Sequence, residues 1–305
     1  MDEKLNNMKV MVTGGAGFIG TNLIERLVKE GHNVVSLDNY DSGLEENHID
    51  SVKYINADIE TIEYIKGDDF DLCFHLAALS RIQPSFENPT DTFRVNVRGT
   101  EAVMEWGLHN KVKVVYAGSS SKWHDPTISP YAMYKYLGEE VCKLYKKTFE
   151  VDVEICRFYN VYGPKEIVDG DWAAVIGIWR NQIIKKEPIT IVGDGKQKRD
   201  FTHVCDICDG LYKVAFGRER HLSNSHHIGV FCEKHEDAWE LGTGVNHSVI
   251  DVFNFFRERF GEDLECTYIP DQKGNYRETL RENNDMVDRL GWKPMDRLRD
   301  YILSL

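Results

Sequence analysis

The sequence predicts an α/β protein built on a doubly wound parallel sheet, with a smaller C-terminal α/β domain. Through the first half of the 305-residue chain, short apolar runs alternate with segments of helical periodicity. Several of these runs end in small residues, and the first is joined to its helix by a glycine-rich turn. Strands that alternate with helices form βαβ units with right-handed crossovers, which predicts a parallel sheet.

The first unit spans residues 8–31. Val10–Val12 is an apolar run suited to a buried strand, and residues 19–28 repeat apolar side chains at helical spacing. Between them, residues 13–20 read TGGAGFIG, which contains GxGxxG at 15–20 and GxxGxxG at 14–20. In this context either pattern predicts a turn that brings a dinucleotide pyrophosphate to a helix N-terminus. A purely structural turn is the alternative.

Asp38 ends the second predicted strand, residues 33–37. An acid at this distance from the glycine turn typically binds the ribose hydroxyls of NAD and disfavours a 2′-phosphate. No arginine lies in residues 38–43. The sequence therefore predicts NAD rather than NADP.

The remaining elements suggest two domains. Strands are predicted at 52–56, 71–78, 112–116, 151–158 and 189–192, and helices at 89–110, 131–149, 173–186, 249–259 and 285–290. After about Gly163 the alternation becomes irregular. We therefore predict a Rossmann-type NAD-binding domain over residues 8–164, rejoined by about 200–243, and a substrate-binding domain over 165–199 and 244–305.

Composition excludes several classes of function. The net charge of −13 makes nucleic acid a poor partner, because binding its phosphates relies on clustered Lys and Arg. No apolar stretch approaches the length of a membrane span, and the residues before Met8 are polar. We therefore expect no membrane partner and a cytoplasmic location.

The spacing of the cysteines and histidines does not predict a metal site. The seven cysteines are scattered, which fits reduced thiols, and the CxxC at 205–208 lacks a second pair. Residues 217–239 are rich in histidine, but their spacing matches no standard zinc site, so a solvated loop is the preferred interpretation. The residues concerned are His221, His226, His227, His235 and Cys232.

The chemistry is predicted at Tyr131 and Lys135. Residues four apart on a helix share a face, so the phenol and the ammonium would point into one site. Free tyrosine has a pKa of about 10, and a nearby cation lowers it toward the range of a useful base. An incidental pair is the alternative, but a hydroxyl cluster at 118–121 and the dinucleotide turn favour the functional interpretation.

The ordered motifs resemble the extended short-chain dehydrogenase/reductases that act on nucleotide sugars, from about Met8 to the C-terminus. They are TGGAGFIG (13–20), LDNYDSG (37–43), ADI (57–59), HLAA (75–78), NVRGT (96–100), GSSS (118–121), SPYAMYK (129–135), RFYNVYGP (157–164), GDGKQKRDFTHV (193–204) and LGTG (241–244).

The resemblance implies a role for each matching residue. The implied catalytic residues are Tyr131, Lys135 and Ser120, with Ser119 as a one-residue alternative to Ser120. Cofactor would be bound by Gly14, Gly17, Phe18, Ile19, Gly20, Asp38, Asn39, Asp58, Ile59, Leu76, Ala77, Ala78, Asn96, Tyr131, Lys135 and Tyr159. Substrate would be bound by Ser80, Arg81, Ser120, Asn160, Arg199 and Arg277.

Three departures from the family pattern bear on the reaction. The 4,6-dehydratase branch carries acidic residues after the catalytic hydroxyl, whereas Ser121 and Lys122 stand here, and His124 or Asp125 would have to substitute. The segment from Ser120 to Tyr131 is short, with Trp123-His124 in place of a Tyr-Gly turn. Gln272 replaces a phosphate-binding arginine, a role left to Lys273 or Arg277.

The implied function is that of an NAD-dependent nucleotide-sugar 4-epimerase, which passes through a transient 4-keto sugar and uses a UDP-sugar. A 4,6-dehydratase is the alternative, and a non-catalytic NAD-binding regulator is a third possibility. The family also implies a homodimer formed through the helices near 89–110 and 131–149.

Overall fold

The structure is a computed structural model that describes residues 7–66, 69–217 and 238–305. Its strands in chain order are β1 (Lys9–Thr13), β2 (Asn33–Asp38), β3 (Lys53–Asn56), β4 (Leu72–His75), β5 (Lys113–Ser119), β6 (Val153–Phe158), β7 (Val161–Tyr162), β8 (Ile189–Val192), β9 (Lys198–Asp200), β10 (Thr202–His203), β11 (Trp239–Leu241), β12 (Asn246–Ser248) and β13 (Cys266–Ile269).

The helices flank these strands. They are α1 (Phe18–Lys29), α2 (Ile82–Glu87), α3 (Pro89–Phe93), α4 (Gly99–Asn110), α5 (Pro130–Phe149), α6 (Val175–Ile184), α7 (Val204–Phe216), α8 (Val249–Phe260), α9 (Asp285–Leu290) and α10 (Leu298–Leu303). Short 3₁₀ turns lie at 45–47, 59–64, 120–123 and 126–128.

The central sheet has seven strands in the order β11-β6-β5-β4-β1-β2-β3. Every neighbouring pair in it is parallel, as the alternation of strands and helices predicts. The strand order reverses beside β1, and at such a point the carboxyl ends of the strands leave a crevice for ligands. The predicted α/β fold class is confirmed.

The turn after β1 is built by close backbone approach. Gly14 has φ +72°, and its N–H donates to the carbonyl of Leu37 at 2.8 Å. A Cβ at Gly14 would lie 2.8 Å from the nitrogen of Ala77, and one at Gly20 would lie 2.1 Å from the oxygen of Gly14. Side chains at either position would push the turn away from the sheet.

The helix predicted over 89–110 is interrupted once. Residues 94–98 form a π-helical turn between α3 and α4. Asn96 lies in this turn, accepts a hydrogen bond from the N–H of Leu79 (2.8 Å) and donates one to the Leu79 carbonyl (2.9 Å). The local widening thus places an amide side chain against the loop that follows β4.

Apolar side chains cover both faces of the sheet. One cluster joins Val10 and Leu23 to Ile207 and Leu211 of α7, so the chain returns to the sheet after residue 203. A second cluster lies under α4 and α5, and a third, around Trp179 and Phe256, lies under the C-terminal elements. The two-domain division and its boundaries stay a prediction.

Several sequence predictions concern features outside this core. Residues 218–237 lie outside the described residues, so the interpretation of the His-rich stretch stays a prediction. Elsewhere in the described chain, no group of three or more His, Cys, Asp or Glu side chains could hold a metal ion. Of the helices listed above, none has both the length and the apolar character needed to cross a bilayer.

Candidate active site

A cleft of about 720 Å³ opens at the carboxyl edge of the central sheet. It gathers most of the residues singled out in the sequence, although they come from distant parts of the chain. Those lining it are Gly14, Gly17, Phe18, Ile19, Gly20, Asp38, Asn39, Ile59, Leu76, Ala77, Ala78, Ser80, Arg81, Ser120, Tyr131, Lys135, Asn160 and Arg199.

Four predicted site residues do not line the cleft. Asp58 caps the 3₁₀ turn at 59–64 and pairs with Arg94 at 2.9 Å. Asn96 holds the Leu79 backbone, as described above. Tyr159 is buried and its hydroxyl donates to Glu240 at 2.6 Å. Arg277 is exposed and pairs with Asp194, although Tyr276 and Thr279 on either side of it line the cleft. The binding roles of these four residues stay predictions.

The glycine turn forms one end of the cleft. Helix α1 begins at Phe18, and no side chain caps its first N–H groups. These groups and the helix dipole favour an anion such as a pyrophosphate. The space beside Gly14 and Gly20 is too narrow for any Cβ. The residues present therefore fit a dinucleotide.

Asp38 closes the same end. Its carboxylate accepts hydrogen bonds from the N–H groups of Ala16 (2.9 Å) and Tyr40 (2.8 Å). Burial raises the pKa of Asp38, and these two N–H donors oppose the rise. An anionic oxygen here accepts ribose hydroxyls and repels a 2′-phosphate, in agreement with the NAD prediction.

Helix α5 presents the catalytic candidates. Ser129 caps its first turn by accepting from the N–H of Ala132 at 3.1 Å, and Tyr131 and Lys135 follow one turn apart in the cleft. The hydroxyl of Tyr131 donates to the Oγ of Ser119 at 3.3 Å. The Nζ of Lys135 donates to the carbonyl of Ala117 at 2.6 Å. A phenol, a serine and an ammonium thus meet at the end of β5.

The serine that contacts Tyr131 is Ser119, the one-residue alternative, whereas Ser120 lines the same cleft without that contact. Which of the two is catalytic stays a prediction. Strand β5 continues through Ser119, which directs this side chain toward α5. Ser120 begins the 3₁₀ turn that leads the chain away from the sheet. The sequence offered three adjacent serines, and only the point where the strand ends distinguishes them.

The charges around Tyr131 differ from the simple expectation that Lys135 alone lowers its pKa. Burial raises the pKa of Tyr131, whereas the hydrogen bond with Ser119 and the positive charge of Arg81 lower it. Burial also lowers the pKa of Lys135, to about 8, and the carboxylate of Glu139 opposes this. The cation that lowers the pKa of Tyr131 in this structure is therefore Arg81 rather than Lys135, and burial outweighs it.

Lys135 stands at one end of a chain of buried charges. Glu139, one turn further along α5, pairs with Arg157 of β6 at 2.9 Å. Arg157 pairs in turn with Glu240 of β11 at 2.9 Å. All four side chains are at least nine-tenths buried, and their charges sum to zero. We refer to these four residues as the ionic chain.

The opposite end of the cleft carries Arg199 and Asn160. Arg199 donates to Asn275 Oδ1 at 2.6 Å, and burial lowers its pKa to about 10, so it remains charged at neutral pH. Asn160 donates to the carbonyl of Asp200 at 3.1 Å. The Asp200 carboxylate accepts the N–H groups of Thr243 and Gly244, which fixes the neighbouring loop. A fixed cation at this end suits an anionic substrate group.

Sequence reasoning missed three residues of this site. Glu139 lies four residues after Lys135, a spacing that could have identified it. Asn275 and Tyr276 line the cleft from the segment at 271–277, in which only the cations Lys273 and Arg277 were predicted to bind substrate. Their positions depend on long-range packing that no local pattern encodes.

Comparisons with known proteins agree with this arrangement. Residues 10–226 match the NAD dependent epimerase/dehydratase family. The chain is 30% identical to a putative UDP-glucose 4-epimerase of Methanocaldococcus jannaschii, over 96% of this chain and 95% of that protein. It is 27% identical to UDP-glucuronic acid decarboxylase 4 of Arabidopsis thaliana, over 96% of this chain and 66% of that protein.

A solved structure shows the same likeness in three dimensions. The UDP-glucose 4-epimerase of Thermotoga maritima, crystallised with UDP-glucose, superposes with a TM-score of 0.85 at 26% identity. The match covers 97% of this chain and 96% of that one.

We expect Asp38→Ala to weaken NAD binding about 10- to 100-fold, because charge-assisted hydrogen bonds to the ribose are lost. The preference for NAD over NADP should fall as well. Isothermal titration with each dinucleotide measures both effects, and Asp50→Ala, at an exposed aspartate, serves as the control. An unchanged NAD affinity would contradict the assignment.

We expect Glu139→Gln to move the alkaline limb of the kcat–pH profile to lower pH. Removing the carboxylate lowers the pKa of Lys135 further, so its charge is lost at a lower pH than in the parent protein. Glu140→Gln, at the adjacent and less buried glutamate, should leave the limb in place. Thermal unfolding of both variants tests whether the fold is kept. An alkaline limb that stays at the same pH in Glu139→Gln would refute the electrostatic coupling of Glu139 to Lys135.

Proposed function

Because this chain belongs to the NAD dependent epimerase/dehydratase family, we propose that it is a nucleotide-sugar 4-epimerase acting on a UDP-sugar through a transient 4-keto sugar. The observation that carries the proposal is the contact between Tyr131 and Ser119, in one cleft with Lys135, the glycine turn and Arg199. A nucleotide sugar bound with its diphosphate at Arg199 would bring its sugar to Tyr131.

NAD is the cofactor, and the glycine turn and Asp38 would hold it, so that when bound it would supply a reversible hydride acceptor for C4 of the sugar. The chain's own residues handle the proton. Ser119 orients the C4 hydroxyl, and Tyr131 as phenolate removes its proton and later restores it. Arg199 and Asn160 hold the diphosphate end, so the neutral keto sugar can turn its other face while it remains bound. The net reaction inverts C4 and consumes no cofactor.

The surroundings of Ser119 favour epimerisation over dehydration, which needs an extra acid and base. Lys122 pairs with Glu140 at 3.0 Å, outside the cleft. Asp125 accepts from the N–H of Thr127 at 2.8 Å in its own turn, and it does not line the cleft. His124 is stacked on Tyr276. Neither His124 nor Asp125, the two substitutes considered for the missing carboxylates, lines the cleft.

A non-catalytic NAD-binding regulator is less well supported. Such a protein has no use for a phenol held against a serine hydroxyl, whereas both groups are required for proton transfer. A decarboxylase would share the first step, since a 4-keto uronic acid carries its keto group β to the carboxylate. The identity of the reaction product distinguishes an epimerase from a decarboxylase and from a regulator.

We further propose a homodimer formed through residues 89–110 and α5, in the cytoplasm. Large apolar side chains on these helices are exposed, namely Phe93, Leu144 and Phe149. A partner that packs along these helices would cover these exposed apolar side chains. A second copy of the chain would cover it symmetrically.

We expect one UDP-sugar in a panel of UDP-, dTDP- and GDP-linked hexoses and uronic acids to give a product of unchanged mass and new retention. Mass spectrometry after chromatography identifies it. A deuterium label at C4 should be retained, because the same hydride returns to the sugar. Loss of water would instead establish a dehydratase, loss of carbon dioxide a decarboxylase, and no product at all would favour the regulator.

We expect Tyr131→Phe to lower kcat about 100- to 10,000-fold, the usual contribution of a positioned acid–base group, with NAD affinity unchanged. Tyr134→Phe, on the same helix but packed against Phe93, should retain the parent activity. Steady-state turnover and NAD titration measure both variants. An active Tyr131→Phe protein would exclude the phenol as the base.

A further inference from the structure

Three residues that line the cleft, Ser121, Tyr162 and Tyr276, have a buried hydroxyl with no hydrogen-bond partner of normal geometry among the described residues. Two of these hydroxyls, those of Tyr276 and Ser121, lie close to each other, and the Tyr276 hydroxyl also lies close to Ser129. Buried polar groups are normally paired, so two adjacent unpaired hydroxyls indicate a place for a polar ligand.

Tyr276 lies between the two functional ends of the substrate region. Arg199 contacts Asn275, the residue directly before Tyr276, and Tyr131 lines the same cleft. If Arg199 holds the diphosphate and Tyr131 faces C4, the sugar ring must span the distance between them. The hydroxyl of Tyr276 would then lie beside the sugar ring.

The ring of Tyr276 is held from its far side by His124. The two rings are stacked, with centroids 3.9 Å apart and an interplanar angle of 13°. His124 lines a neighbouring cavity of about 330 Å³ rather than the cleft itself. Burial and the charge of Arg199 lower the pKa of His124, so its ring is neutral at pH 7 and adds no positive charge behind the tyrosine.

His124 is itself fixed through the residue before it. The Nε1 of Trp123 donates to the hydroxyl of Tyr159 at 3.1 Å and to Glu240 at 3.3 Å. Glu240 is the last member of the ionic chain. The Trp123-His124 pair therefore connects the catalytic helix to the wall that faces the sugar.

We propose that Tyr276 is a sugar-recognising residue: its hydroxyl, with that of Ser121, hydrogen-bonds a hydroxyl group of the sugar, and His124 positions its ring. This inference rests on the proposed function and names the part of the substrate that is recognised. Burial and the nearby Tyr131 raise the pKa of Tyr276 to about 12, so it acts as a neutral hydrogen-bond donor or acceptor.

The test compares UDP-glucose with UDP, which lacks the sugar, by isothermal titration of the NAD-loaded protein. We expect Tyr276→Phe to weaken UDP-glucose binding about tenfold and to leave UDP binding unchanged, because one hydrogen bond to the sugar is lost. Tyr268→Phe, at an exposed tyrosine outside the cleft, should match the parent with both ligands.

His124 variants test the positioning role. His124→Ala should also weaken UDP-glucose binding selectively, and His124→Phe, which keeps a flat ring for stacking, should restore it. Failure of His124→Phe to restore the affinity would refute that role.

The remaining outcomes separate the inference from the proposed function. If UDP-glucose binds Tyr276→Phe as tightly as the parent, or if both ligands lose affinity equally, sugar recognition by Tyr276 is refuted while the function stands. If the parent binds neither UDP nor UDP-glucose and converts no nucleotide sugar, the proposed function fails and this inference fails with it.

Discussion

The arrangement of the site depends on the balance of charge in the ionic chain. Lys135, Glu139, Arg157 and Glu240 are removed from water together, and each is stabilised only while its neighbours remain in place. Removing one member would leave an unpaired charge in a medium of low polarity. Because the four residues lie on α5, β6 and β11, their pairing fixes the catalytic helix against the end of the sheet. The position of Tyr131 against Ser119 follows from this.

The same chain also reaches the substrate side. Through Glu240 it holds Trp123, and Trp123 is followed by His124, whose ring supports Tyr276. Two segments far apart in sequence, 120–124 and 271–277, therefore meet as one wall. The short segment after β5 thus contributes to the wall proposed to recognise the sugar. Its Trp-His pair has a structural role, since Trp123 is held by Glu240 and His124 supports Tyr276.

Local patterns were sufficient for the fold and for most of the cleft. The glycine turn, the acid after β2 and the spacing of Tyr131 and Lys135 depend on neighbours within a few residues, and such features can be predicted from sequence. The sequence could not show which of Ser119 and Ser120 contacts Tyr131, because this depends on the residue at which β5 ends. Asp58 and Arg277 pair with Arg94 and Asp194 and do not line the cleft, and no local pattern encodes these pairings because the partners are far apart in sequence. The unpaired hydroxyls of Tyr276 and Ser121 became visible only when the packing was known.

The two outer strands of the sheet bear on how copies of the chain can associate. β3 has four residues and β11 three, so each edge offers few free backbone groups to another strand. The central residue of β11 is Glu240, whose buried carboxylate pairs with Arg157. Edges this short, one of them with an inward-pointing charge, are poor templates for adding strands from a second molecule. Among the described strands, neither edge of the sheet therefore favours the open-ended addition of strands from other copies.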